Sequence, residues 1–191
     1  MVLKLVGSPY STCTARVAVV LLEKKIPYEL IPIDLSKGQQ KTPEFLAKQP
    51  FGLVPYIDDD GFILYESRAI CRYLAVKYRG QGTDLMPSCS DLKATALFEQ
   101  AVATEATSFD PFASGAGFEV NEGLTTDQSS VDAAVAKLTV KLNGYELILG
   151  KQKYLAGDDL TLADLFHLPW GATLAKFDCK LLTTTGPNVT R

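Results

Sequence analysis

Gly7-Ser8-Pro9-Tyr10-Ser11-Thr12-Cys13-Thr14-Ala15-Arg16-Val17 is the stretch in which a short apolar strand turns into an amphipathic helix. Val2-Leu3-Lys4-Leu5-Val6 alternates as a half-buried strand does, Gly7 and Pro9 break it, and Val17, Val20 and Leu21 continue at helical spacing. Ser11 therefore stands at a helix start. A hydroxyl there caps free backbone N–H groups, and the partial positive charge of the helix end favours an anion. Two roles stay open from this stretch alone: a plain cap, or a donor to a bound thiolate. A serine nucleophile lacks its base, because the only histidine, His167, is far along the chain and Ser11 sits in no Gly-x-Ser-x-Gly elbow. A donor needs no base, and a hydrogen bond to the charged form would favour the thiolate of a group that titrates near ~8.5 when free.

Outward from the first helix, which ends near Glu23-Lys24-Lys25, Tyr28-Glu29-Leu30-Ile31-Pro32-Ile33 reads as a second strand, and Pro32 puts it at a sheet edge. A right-handed crossover makes the two strands parallel neighbours. Asp34 to Pro50 is polar and broken, with a short helix around Pro43 to Ala47. Leu53-Val54-Pro55-Tyr56-Ile57 and Phe62-Ile63-Leu64-Tyr65 flank Asp58-Asp59-Asp60-Gly61, a hairpin signal, and the three aspartates read as turn residues rather than metal ligands. A helix follows from Ser67, with Ile70, Tyr73, Leu74 and Tyr78 as its buried stripe. Strand-helix-strand, hairpin, helix is a thioredoxin-like order. Gly80, Gly82, Pro87 and Ser88 then mark a linker, so the domains are read as 1–80, a linker at 81–90, and 91–191.

Beyond the linker the pattern is helical throughout. An alanine-rich helix runs from Asp91 to Thr107, Phe109-Asp110-Pro111-Phe112 and Ala113 to Phe118 break it, and a long helix carries Val131, Val135, Leu138, Leu142, Tyr145 and Leu149. Thr125 with Gln128, and Thr161 with Asp164, are capping-box pairs. The second opens a buried helix through Leu162, Leu165, Phe166 and Leu168, in which His167 reads as a packed, hydrogen-bonded residue.

Composition narrows the function classes. A chain of 191 residues, 47% apolar, buries a real core. A net charge of −3 with scattered Lys and Arg excludes nucleic acid as the main partner. The four cysteines, Cys13, Cys71, Cys89 and Cys179, have neither zinc spacing nor disulfide density, and the N-terminus carries no leader pattern, so a cytosolic protein without a metal is expected.

Ser11 to Val17, Asp34 to Glu44, Gln49-Pro50-Phe51-Gly52-Leu53-Val54-Pro55, Phe62 to Ile70 and Tyr154 to Pro169 together resemble a glutathione transferase, closest to the phi class of plants and fungi. The resemblance covers nearly the whole chain. It implies an α/β N-terminal thioredoxin-like domain plus an all-α C-terminal helical domain, with glutathione as co-substrate and small apolar electrophiles as second substrates. It implies that Ser11 hydrogen-bonds to the glutathione sulfur, that Val54 precedes a cis-proline and offers its backbone to the cysteinyl part, and that Glu66 and Ser67 grip the γ-glutamyl end. Gln40 and Lys41 match the positions reaching the glycyl carboxylate. Tyr10, Thr12, Leu35, Phe112 and Phe118 are candidates for the apolar site, and Phe51 for docking into a partner copy in a homodimer.

Three departures from the family pattern stand out. Leu53 occupies the position of a glutamine that contacts the peptide, Gln40 that of a frequent histidine, and family members continue through further helices after a segment like Gly186 to Arg191, so the helical domain is expected to lack its last helices. Cys13 is the rival to Ser11: a thiol acidified near a helix start would make a thioltransferase or dehydroascorbate reductase. Its position on the face of Val17, Val20 and Leu21 favours a buried structural thiol, and the family's cysteine-based members carry the cysteine where Ser11 stands. A carrier of hydrophobic ligands without catalysis is the remaining alternative.

Overall fold

The structure, a computed structural model, describes residues 2–121, 127–176 and 179–191, with side chains in the first segment as far as residue 116. Two units are present, Met1–Met86 and Pro87–Arg191. In the first, β1 (Leu3–Gly7), α1 (Thr12–Glu23) and β2 (Tyr28–Pro32) form the crossover that the sequence predicts. A 3₁₀ turn at Gln39–Lys41, α2 (Pro43–Leu46), β3 (Tyr56–Asp59), β4 (Phe62–Tyr65) and α3 (Ser67–Lys77) follow. The sheet order is β2-β1-β3-β4, with β1 parallel to β2 and antiparallel to β3, so Leu5 pairs with Leu30 on one side and Ile57 on the other. Pro32 lies on the edge strand, where its missing N–H costs no ladder bond.

Leu5, Val17, Val20, Leu21, Ile57, Ile70 and Leu74 are all fully buried, and each such side chain contributes about 1.5–3 kcal/mol of apolar transfer. Val6, Phe45 and Tyr56 form a second cluster. At the end of β1 an added Cβ on Gly7 would lie 2.5 Å from Thr14 Oγ1 and 3.1 Å from Pro55 Cβ, so the start of α1 and the loop before β3 meet across a position with no side chain. Residues after α3 stay tied to this unit: Lys24, fully buried, donates to the Thr83 carbonyl at 2.9 Å, and Gln81 donates to the carbonyls of Lys24 and Lys25.

Three expectations for this unit need correction. Leu53 to Pro55 is not strand, because Pro55 cannot donate to a ladder and follows a cis bond at Val54–Pro55; β3 begins at Tyr56. Tyr73 and Tyr78 are half-buried, with Cys71 and Ala75 in the buried stripe instead; the Tyr73 hydroxyl reaches outward to donate to Asp59 at 2.5 Å. Cys13 is half-buried, because Thr14 and Arg16 take the inward positions of the first turns of α1.

The second unit holds α4 (Leu92–Ser108), α5 (Asp110–Asn121), α6 (Gln128–Leu149), α7 (Leu162–Leu165), α8 (Leu168–Lys176), α9 (Leu181–Thr184) and α10 (Pro187–Thr190). Asp91 caps α4 through the amide of Ala94 at 3.0 Å. The expected break over Ala113 to Phe118 is instead helix. Pro111 falls in the first turn of α5, where its absent N–H has no partner to lose, and at Gly115 a Cβ would sit 3.3 Å from that of Ala134, so the small residue serves the close packing of α5 on α6. Only Phe109 interrupts the two helices, its φ of −122° ending α4. The start of α6 is capped by Asp127, which accepts from Ser129 at 3.2 Å; Thr125 of the expected box lies outside the described residues. The Thr161–Asp164 box is formed, but Leu168 is exposed, because α7 ends at Leu165 and the chain turns before α8. Phe109, Ala113, Leu138, Leu142, Tyr145, Trp170 and Leu174 make the core.

The N-terminus of α10 has no cap of its own. Glu146 of α6 supplies one, its carboxylate accepting from the amides of Asn188 and Val189 and from Asn188 Nδ2 at 2.6 Å, and a Cβ on Gly186 would lie within 2.9 Å of that carboxylate. Desolvation pushes the Glu146 carboxyl upward, but the bonds from Val189 and Asn188 outweigh it and hold its pKa below the ordinary value. A carboxyl depressed in the folded state stabilises above its unfolded value and ceases to do so as pH falls through the folded one. Below about pH 4, amide exchange at residues 187–190 is therefore expected to accelerate before exchange in the middle of α6 does; simultaneous loss would contradict the cap.

Candidate functional site

The β1–α1 turn places Ser11 as the N-cap of α1, with φ −80° and ψ 125°. Its oxygen accepts from the Thr14 amide at 3.3 Å. That bond uses a lone pair and leaves the hydroxyl hydrogen free to donate, so capping and donating are compatible in one side chain. Tyr10, beside it, is 84% exposed, and Thr12, the first helical residue, is half-buried.

The second helix N-terminus belongs to α3. Glu66 occupies its N-cap position at φ +70°, ψ 106°, and its side chain makes no capping bond. A residue other than glycine at positive φ costs about 1–3 kcal/mol and persists where the surroundings impose it. Ser67 is the first helical residue rather than the cap. Its hydroxyl oxygen accepts from Arg16 Nη1 at 3.0 Å, which joins the starts of α1 and α3. Arg16 Nη1 also reaches Cys13 Sγ at 3.5 Å. Cys71, in contrast, is fully buried, and burial pushes its thiol up to about 12, so it is a packing residue.

On the other flank, Gln40 donates through Nε2 to the Leu35 carbonyl at 3.5 Å, while its Oε1 is buried with no partner among the described residues. Lys41, exposed, donates to the Phe51 carbonyl at 3.3 Å. Gly52, at φ +61°, lies under it: a Cβ there would meet Lys41 Cδ and Nζ at 2.7 Å. Gln49, almost fully buried, accepts from the Leu53 amide at 3.1 Å, which ties the segment entering the cis Val54–Pro55 bond and leaves the Leu53 side chain 57% exposed. Ser11, Ser67, Gln40, Lys41, Val54 and Glu66 thus all lie in the first unit, linked through Arg16, Gly7–Pro55 and Gly52. Phe51 is 63% exposed, edge-on to Tyr65.

Of the remaining candidates, Leu35 is half-buried beside Gln40. Phe112 belongs to the helical unit and packs against its core, with Lys141 over the ring at 5.8 Å. The side chain of Phe118 lies outside the described residues. Two residues of the site went unassigned in the sequence, Arg16 and Gln49. For Arg16 the signal was present: a cation between Cys13 and Val17, within a turn of an apolar stripe, calls for an internal partner. Gln49 carried none. No cluster of three or more His, Cys, Asp or Glu fit to hold a metal occurs among the described residues, and no helix there is long and apolar enough to cross a membrane.

A thioredoxin-like sheet, with serines at two helix starts and a cis-proline loop between them, frames the candidate site of the first unit. Residues 5–82 match the family profile described as glutathione S-transferase, N-terminal domain, and residues 85–191 that of the C-terminal domain, and the chain belongs to the glutathione S-transferase family. Glutathione S-transferase PM239X14 of Arabidopsis thaliana is 49% identical over 94% of this chain and 84% of its own. The crystal structure of glutathione transferase F7 from Populus trichocarpa superposes with a TM-score of 0.92 at 41% identity, over 99% of this chain and 90% of that one. Within the family the chain stands in the phi class, as the poplar enzyme does. A maize glutathione S-transferase I in complex with an atrazine glutathione conjugate matches with a TM-score of 0.88 and 36% identity, over 100% of this chain and 89% of that one.

Proposed function

We propose that this transferase conjugates glutathione to small apolar electrophiles, with the Ser11 hydroxyl donating to the glutathione sulfur and holding it as the thiolate. The observation that carries this reading is the Ser11 cap: its oxygen is engaged by Thr14 and its hydrogen is left for a ligand over the positive end of α1. Catalysis is then thiolate stabilisation and positioning, without an internal base. Ser67 and Glu66 receive the γ-glutamyl end, Val54 the cysteinyl backbone, and Leu53 contributes its exposed side chain alone. The unpartnered Gln40 Oε1 suits the N–H of the glycyl peptide, and the Lys41 ammonium suits the terminal carboxylate. Of the residues considered for the electrophile site, Tyr10, Thr12 and Leu35 are the proposed contributors from the first unit. The protein acts in the cytosol as a homodimer, with exposed Phe51 docking into the second copy.

A second reading has its own observation. The contact from Arg16 to Cys13 Sγ would favour a thiolate there, as a thioltransferase or dehydroascorbate reductase requires. Conjugation to an aryl halide, run beside reduction of a glutathione mixed disulfide, separates the two. Conjugation abolished by Ser11→Ala and kept by Cys13→Ser is expected; disulfide reduction abolished by Cys13→Ser would move the enzyme to the redox class. Neither activity would leave a carrier of hydrophobic ligands.

Gly52→Ala tests the glycyl end. The new methyl is strained at φ +61° and must displace Lys41, so KM for glutathione is expected to rise about fivefold or more while kcat changes little. An unchanged KM would remove Lys41 from the site.

A further inference from the structure

In the helical unit, α6, the joint between α7 and α8, and α10 leave a cavity of ≈ 700 Å³ between them, a volume in the range of small-molecule sites. Its lining residues all fall in the second unit, and none is among those assigned above to glutathione or to the electrophile. The walls are apolar, built from Phe109, Leu142, Leu149, Leu182 and Val189. Water finds few partners on such walls, so an apolar group that displaces it gains. The most buried polar group of the lining is already engaged: the Tyr145 hydroxyl lies 3.1 Å from His167 Nε2, and His167 Nδ1 donates to the Ala163 carbonyl at 2.7 Å. The inner end of a ligand is therefore apolar. At the edge the balance changes. Asp164 has its oxygens filled, Oδ1 by the Leu155 amide at 2.9 Å and Oδ2 by the Thr161 amide at 2.9 Å and hydroxyl at 3.0 Å. Lys153, exposed, makes no hydrogen bond or ion pair among the described residues, and its ammonium lies over the Tyr154 ring at 5.0 Å. Arg191 brings a second cation to the same lining, its Nη2 donating to the carbonyls of Leu149, Gln152 and Lys153. An apolar chamber with N–H donors to spare at its edge fits a hydrophobic body that ends in an anion.

We propose that this cavity is a second small-molecule site, separate from the glutathione site, and that it takes a compact apolar monoanion, its body among Phe109, Leu142 and Leu182 and its carboxylate or sulfonate at Lys153. The walls supply the affinity, and Lys153 sets the preference for the charged form of the ligand. No residue of the first unit takes part, so this ligand and glutathione bind at the same time. The site stands independently of the role given to Ser11.

The test uses the full chain and two fluorescent probes, 8-anilinonaphthalene-1-sulfonate as the apolar anion and N-phenyl-1-naphthylamine as the same ring system without its sulfonate. Both are titrated with the glutathione site saturated by S-hexylglutathione. One sulfonate probe per chain is expected to bind with a Kd on the order of tens of micromolar, the strength that about twenty non-hydrogen atoms supply at ordinary ligand efficiency. Lys153→Gln is expected to weaken the sulfonate about threefold and to leave the uncharged amine unchanged, as suits an exposed ion pair. Leu168→Trp and Leu182→Trp, each placing an indole at the cavity wall, are expected to weaken both probes on the order of tenfold and to leave the Kd for glutathione as it is. Displacement of the sulfonate by S-hexylglutathione, with indifference to all three variants, would put the probe at the electrophile site and overturn the proposal. Equal weakening of both probes by Lys153→Gln would refute the anion preference. No binding of either probe would mean that protein, from this chain or a second copy, closes the cavity, and would overturn the proposal too. Should the tryptophan variants not fold, amide spectra of the wild-type protein decide: with S-hexylglutathione present, the sulfonate is expected to shift residues 149–155 and 188–191, and shifts confined to residues 1–86 count against the site.

Discussion

Ser11→Ala is expected to lower kcat for aryl halide conjugation on the order of 10²-fold at neutral pH, with KM for glutathione changed less than threefold. The reason lies in the role proposed for the hydroxyl, which acts differently on the two protonation states. A donor to the sulfur stabilises the thiolate and not the thiol, so its removal raises the pKa of bound glutathione toward the free value near ~8.5. The size follows from the loss of one preorganised donor to a developing or resident anion. Sign and pH range are tied together: the deficit should be largest where the wild-type thiol is ionised and the variant's is not, and should shrink as pH rises through about 8–9. A deficit constant across pH would assign Ser11 to something other than ionisation. The cap is lost too, at about 1 kcal/mol, because the Thr14 amide no longer has its acceptor. Ser11→Thr, which keeps a hydroxyl, separates the effects: it should recover the cap and much of the pH profile.

The largest effect on stability is expected from Phe109→Ala, at about 3–5 kcal/mol. Phe109 is 1% exposed, with its ring 4.5 Å from that of His167 and edge-on to Tyr145 at 6.3 Å. His167 Nδ1 donates to the Ala163 carbonyl at 2.7 Å, and its Nε2 lies within hydrogen-bond distance of the Tyr145 hydroxyl, at 3.1 Å. Burial, reinforced by Glu105, pushes the Tyr145 phenol above its ordinary range and keeps it a donor. Phe109 is the lid over this pair and the joint between α4 and α5, so truncation removes packing from three elements at once. Denaturant unfolding of the full chain, followed at Trp170, measures it. A loss under 1 kcal/mol would mean that the helical unit closes over the gap.

Most of the first unit was readable because its signals are local and independent: alternation in β1, Pro32 at an edge, Asp-Gly in the hairpin, a hydroxyl at the start of α1. Ser11 stood out from the helix start itself, whereas the roles of Gln40, Lys41, Val54, Glu66 and Ser67 come from a resemblance, since nothing in the spacing of Glu66 and Ser67 says what they touch. What stayed hidden depends on contacts far apart in sequence. Ala113 to Phe118 reads as a break because glycine lowers helix propensity, and only the approach of Ala134 explains why Gly115 is helical there. Glu146 looks like one more surface charge until α10 is seen resting on it. Arg16 and Ser67 carry no mutual mark in the sequence at all.

The bare Cα of Gly7, with Thr14 on one side and Pro55 on the other, limits where this enzyme can diversify. The distance between the α1 start and the cis-proline loop is set by an atom that is not there, so it has one value and no substitution can adjust it in small steps. On the site proposed above, the route to altered substrate preference therefore runs through Tyr10, Thr12 and Leu35, which are exposed or half-buried and can change without moving the backbone. Selection can reshape the rim of such a site freely while its floor stays frozen, and a library aimed at new electrophiles should spare Gly7 and concentrate its diversity on those three positions.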